Sequence, residues 1–117
     1  MANNDYIDWI GESGSSYRYW FADRPNVNAT IKNEGGNFAF VMRLANRNFI
    51  PLYFGHADSL SHELPNHDRF AEAIRAGATH VMSHTTPGGE DARWVELGDL
   101  IRQWRPVLNG QRRQSGT

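Results

Sequence analysis

Five histidines, thirteen carboxylates and a late run of arginines are the side chains through which this chain could do chemistry. His56, His62 and His67 lie close in sequence, while His80 and His84 stand at even spacing on a strand-like stretch, hence on one face of it. A zinc site needs three or four such ligands converging on one point. His62-Glu63-Leu64-Pro65-Asn66-His67 looks superficially like a zincin His-Glu-x-x-His pattern. Three residues separate Glu63 from His67, however, and Pro65 breaks the helix that would align them, so no metal is expected. Arg102, Arg105, Arg112 and Arg113 all follow residue 100, beyond which no acid occurs. Such a cluster can contact phosphates, or it can simply be a solvated terminus that complements a helix dipole. Trp9 and Trp20 can stack on a base or meet a protein if exposed, and pack in a core if not.

These groups must be held by a small set of elements. Tyr17 to Phe21 is aromatic and strand-like, bounded by Gly14-Ser15-Ser16 and Asp23-Arg24-Pro25-Asn26. Asn37 to Leu44 alternates Phe38, Phe40 and Met42 with Ala39, Val41 and Arg43, the pattern of a strand buried on at least one face. A short turn at residues 45–48 leads into Phe49 to Phe54, where Pro51 lacks a ladder donor and favours an edge or a bulge. Asp58 or Ser59 can cap a brief helix from Leu60 to Leu64, and Asn66 can cap the next, with Phe70, Ala73 and Ile74 at helical spacing and Gly77 as its stop. Ala78 to His84 reads as a third central strand. The helix from Glu90 to Gln103 or Trp104 is expected to turn Trp94, Leu97, Ile101 and Trp104 inward. The expected fold is therefore α/β of the α+β type, with a small central antiparallel sheet of three strands, an extra N-terminal strand and flanking helices.

Phe38-Ala39-Phe40 on one strand is followed by Tyr53-Phe54-Gly55 on its partner, and residues 55–63 then enter a helix. Leu97-Gly98-Asp99-Leu100-Ile101 lies on the last helix, with Pro106-Val107-Leu108-Asn109 after it. In this order and spacing, over residues 36–110, the chain resembles the GIY-YIG nuclease family. The resemblance implies a site where a metal-bound water attacks a phosphodiester, with a tyrosine as base, a helical arginine steadying negative charge and a glutamate holding one divalent ion. Carried over, the first-motif tyrosine is Phe40, the arginine is Glu63 and the glutamate is Leu97. Tyr53, Gly55, His67 and Asn109 remain, and Asn109 is expected to tie the C-terminal loop to backbone groups. What the resemblance implies is a degenerate member without nuclease activity. It would act as a nucleic-acid-binding module through Arg102, Arg105, Arg112 and Arg113, or as a protein-interaction module, with no cofactor. The alternative is a divergent phosphodiesterase that needs magnesium or manganese and recruits Glu63, Glu96 or the histidines to a relocated site.

Composition bounds these readings. With 117 residues the chain fits one domain, and 14 aromatics (six Phe, four Trp, four Tyr) among 39% hydrophobic residues can close one core. It divides into residues 1–35 as an N-terminal extension carrying a strand, 36–110 as the GIY-YIG-like domain and 111–117 as a polar tail. The absence of cysteine excludes disulfide scaffolds, thiolate metal sites and cysteine nucleophiles. No apolar run approaches the roughly 20 residues that a bilayer span needs, and the polar start is no signal peptide, so a cytoplasmic protein with no membrane partner is expected. The formal net charge is −1, so any nucleic-acid contact must rest on a local patch.

Overall fold

The structure, a computed structural model, describes residues 6–22, 34–64 and 67–110. In chain order these form β1 (Tyr6–Ile10), β2 (Ser16–Phe21), β3 (Gly36–Arg43), β4 (Phe49–Ala57), α1 (Leu60–Glu63), α2 (Phe70–Arg75), β5 (His80–Thr85) and α3 (Gly89–Trp104), with a helical turn at 107–110. The strands make one antiparallel sheet in the order β1-β2-β5-β3-β4. Five strands, rather than three and an extra, is the first correction to the sequence reading. Tyr6–Ile10 pairs along its whole length with β2, from Tyr6 opposite Trp20 to Ile10 opposite Ser16. Gly14, at φ 92°, supplies the left-handed residue of the connecting turn. The hairpin of β3 and β4 forms as its alternation requires. Pro51 sits where expected, on an edge strand and at a bulge: pairing runs from Phe40–Tyr53 to Val41–Pro51 and skips Leu52.

Alternation along β3 sorts the core into two clusters. Phe38 and Phe40 face one way, toward Tyr53, Leu60, Leu64 and Ala73, so α1 and α2 cover that side. Ala39 and Val41 face the other way, toward Trp9, Tyr19, Phe54, Met82, Leu97 and Leu100, beneath α3. On this second face the sheet curls into a half-barrel. Strands three apart in a flat sheet are about 14 Å apart, yet the rings of Tyr19 on β2 and Phe54 on β4 lie at 6.0 Å, and those of Phe21 and Phe49 at 5.1 Å. The small floor residues Ala39 and Val41 leave room for those rings to meet over them. Gly55 serves the opposite face, since a Cβ there would stand 2.5 Å from the Phe38 ring.

The buried side of α3 is the second correction. Trp94 is exposed (55%) and Trp104 half-exposed, while Arg93, Glu96, Leu97, Asp99 and Leu100 are buried. The helix is rotated from the apolar stripe because partners on the sheet await its polar groups, as described below. Leu97 stays inside, with Leu100 and the partly buried Ile101. After α3, Arg105 adopts a left-handed conformation (φ 48°), and the chain turns so that Asn109 reaches the outer edge of β4. There its Oδ1 accepts the Phe54 N–H (2.9 Å) and its Nδ2 donates to the Phe54 carbonyl (3.0 Å). One side chain thus closes one unit of an otherwise open sheet edge.

Leu97→Glu is expected to lower stability by about 3 kcal/mol, because it places an unpaired carboxylate among packed apolar groups. Urea unfolding followed by far-ultraviolet circular dichroism checks this, and an unchanged midpoint would contradict the buried placement.

Candidate functional site

The positions that the resemblance singled out do not converge. Phe40 stacks on Tyr53 (5.9 Å between ring centroids, planes 21° apart), and His67 stands 5.6 Å from the Tyr53 ring and 5.1 Å from Phe38. Both Phe40 and Tyr53 are buried in the cluster under α1 and α2. Leu97 belongs to the cluster on the opposite face of the sheet. Glu63 turns back on its own helix, with a carboxylate oxygen 3.4 Å from the backbone N–H of Ser59, the N-cap residue. Asn109 is committed to the β4 edge. Phe40, Tyr53 and His67 are therefore the positions brought together, and what surrounds them is a packed aromatic core.

The polar side chains are gathered instead between α3 and the concave face. Tyr19, fully buried, donates its hydroxyl to Oε2 of Glu96 (2.7 Å), and Nε2 of His84 stands 2.6 Å from the same oxygen. The imidazole also stacks on the Tyr19 ring at 4.6 Å. Burial first, and then the Glu96 charge, hold the Tyr19 phenol well above its usual range, so it remains a proton donor. Thr86 donates to Asn37 Oδ1 (2.7 Å), and Asn37 Nδ2 donates to the Arg93 carbonyl (3.2 Å). Arg93 pairs with Asp58 at 2.5 Å, and its Nε donates weakly to His56 (3.4 Å). Burial and then the Arg93 charge push the His56 imidazole below its ordinary value. One turn beyond Glu96 on α3, Asp99 accepts from Ser13 N–H (2.8 Å), Ser13 Oγ (2.6 Å) and Tyr17 hydroxyl (2.7 Å).

The chain matches no family model, no curated protein and no solved structure. In this network Asp99 takes donors on both its oxygens, and one oxygen of Glu96 is shared by Tyr19 and His84. Among the described residues no group of three or more His, Asp or Glu is arranged to hold a metal ion. Of the C-terminal arginines, Arg102 pairs with Glu12 (2.9 Å) and Arg105 is exposed, while Arg112 and Arg113 lie outside the described residues. Trp9 is buried against Phe54 and Trp104, edge to face, and no oxygen or nitrogen among the described residues accepts its indole N–H. Trp20 is the exposed one of the two.

A feature missed in the sequence lies at the open mouth of the half-barrel, beside the end of α3. Trp9, Phe21 and Phe49 line a depression of about 1050 Å³, with Arg43 and Arg47 at the β3–β4 hairpin and Trp104 at the helix end. Neither arginine side chain is ion-paired or hydrogen-bonded among the described residues. Asp8, the carboxylate nearby, is already gripped by Arg18 through two bonds (2.8 and 3.2 Å). The signal for this mouth was partly visible, since Arg43-Leu44-Ala45-Asn46-Arg47 sets two cations around a tight turn. Its aromatic wall depends on strands distant in sequence.

The shared Glu96 oxygen sets a clear expectation. Glu96→Ala should cost about 3 kcal/mol, since it strands a buried phenol and an imidazole, and Tyr19→Phe about 1 kcal/mol. The double variant should cost clearly less than the sum, and strict additivity in chemical denaturation would show that the two groups are not coupled. Asp99 gives the pH dependence. Hydrogen bonds from Ser13, and then from Tyr17, hold its carboxyl below the ordinary aspartate value. Its contribution is fully present above that ordinary value and is lost as pH falls through the depressed native one. Asp99→Asn should flatten the acid limb of the stability profile. A variant as acid-sensitive as the parent would assign that limb to other groups.

Proposed function

We propose that this domain is a degenerate relative of the GIY-YIG nucleases that binds nucleic acid and does not cleave it. The observation that carries the binding reading is the cationic mouth of the half-barrel. Arg43 and Arg47 have no carboxylate partner among the described residues, and they border the same depression as Trp104, whose neighbour Arg105 is exposed. Guanidinium groups left unpaired are suited to phosphate oxygens, which they can meet with two parallel hydrogen bonds. A near-neutral protein can bind a polyanion through such a local concentration of charge.

Catalytic silence follows from what fills the former catalytic positions. Phe40 has no hydroxyl to take a proton, Glu63 opposes the negative charge that phosphodiester cleavage develops, and Leu97 offers no oxygen to a divalent ion. Loss of a single electrostatic stabiliser costs on the order of a hundredfold in rate. Glu96, the obvious substitute, already accepts from Tyr19 and meets His84.

Purified protein should leave single-stranded, duplex and branched DNA intact with magnesium or manganese present, while retaining a labelled strand in a salt-dependent manner. For a single strand the slope of log affinity against log salt should fall by about 0.7 for each arginine contact removed. Electrophoresis of the substrates and fluorescence anisotropy across a salt series make the two measurements. Cleavage that vanishes with chelator and with Glu96→Gln would replace this reading by that of a metal-dependent phosphodiesterase. Absence of any binding at low salt would remove the nucleic acid.

A further inference from the structure

Resting on the nucleic-acid reading, we propose that the half-barrel mouth takes the unstacked bases of a single strand, and that it discriminates against duplex. The curl of the sheet gathers rings from two strands and a helix around one opening: Phe21 of β2, Phe49 of β4 and Trp104 of α3. Trp104 exposes 39% of its surface, and Phe21 and Phe49 are partly exposed. The Trp104 indole donates to the Ile10 carbonyl (3.0 Å), which fixes its ring at the rim. Phe21 and Phe49 hold His80 between them, with centroid distances of 5.3 and 5.2 Å.

Aromatic wall and cationic rim call for a ligand with flat apolar faces joined by regularly spaced anions. A single strand presents both, because its bases can splay away from the backbone and stack on protein rings while its phosphates meet arginine. A duplex keeps its base faces covered by neighbouring pairs. It could touch Arg43 and Arg47 through phosphate, but it would leave the rings unused. Asp8, the carboxylate that borders the mouth, is paired with Arg18 and leaves the two hairpin arginines unopposed.

The hairpin arginines also differ in a way that allows a clean variant. Arg47 holds a left-handed backbone (φ 75°), so Arg47→Gly removes the guanidinium while relieving the backbone. The test is fluorescence anisotropy with the full chain and three probes of about 15 nucleotides, near the upper end of one single-strand site. These are a thymidine oligomer, an abasic oligomer with the same phosphates, and a duplex. The thymidine strand should bind about tenfold more tightly than either of the others, the scale of base stacking on protein rings. Trp104→Ala, at the exposed rim, should erase most of that preference without changing abasic binding. Phe49→Ala should do the same if it folds. Arg47→Gly should weaken all three probes together. Equal binding of thymidine and abasic strands would overturn base stacking while leaving phosphate recognition in place. Binding of none of the probes would overturn the nucleic-acid reading itself.

Discussion

The polar seam beneath α3 fixes the rest of the molecule. Arg93, Glu96 and Asp99 are charged groups on the buried side of a helix, and each stands inside because a donor or counter-charge from elsewhere meets it. An unpaired charge at such a place would cost several kcal/mol, so the helix has one acceptable rotation about its axis. That rotation turns Trp94 to solvent and brings Leu97 and Leu100 onto the curled sheet. It also points Trp104 at the mouth and aims the following turn so that Asn109 reaches β4. Gly11 belongs to the same arrangement, because a Cβ there would stand 2.2 Å from the Asp99 carboxylate.

The two faces of the sheet consequently have different tasks. The convex face is a packed aromatic core of Phe38, Phe40 and Tyr53 closed by α1 and α2. Where the nuclease resemblance would place proton transfer, this face has rings in contact with rings. The concave face carries both the polar seam and the open mouth, so stability and ligand access sit side by side on it. α3 covers one part of the half-barrel and leaves the other to solvent. No helix among the described residues is long and apolar enough to cross a membrane.

Local pattern made some of this legible in the sequence. Strict alternation of Phe38, Phe40 and Met42 announced β3, Pro51 announced an edge or bulge, and Gly77 closed α2 with the expected positive φ. Tyr6–Ile10 carries its own alternation and a turn after it, but so short a strand gains its meaning only from pairing with β2. The rotation of α3 was hidden for a different reason. Counting apolar side chains favoured Trp94 and Trp104, whereas the partners that draw Glu96 and Asp99 inward, Tyr19 and Ser13, lie 77 and 86 residues away. The mouth was hidden likewise, since its wall exists only once small Ala39 and Val41 let the sheet curl.

Amide chemical-shift mapping of the labelled protein with a short thymidine strand tests the functional reading most directly, because it locates the ligand without relying on any variant. Shifts are expected to gather at Tyr6 to Trp9, at Arg43 to Phe49 and around His80 and Trp104. Shifts centred on Tyr53, Glu63 and His67, or no shifts at all at low salt, would contradict it.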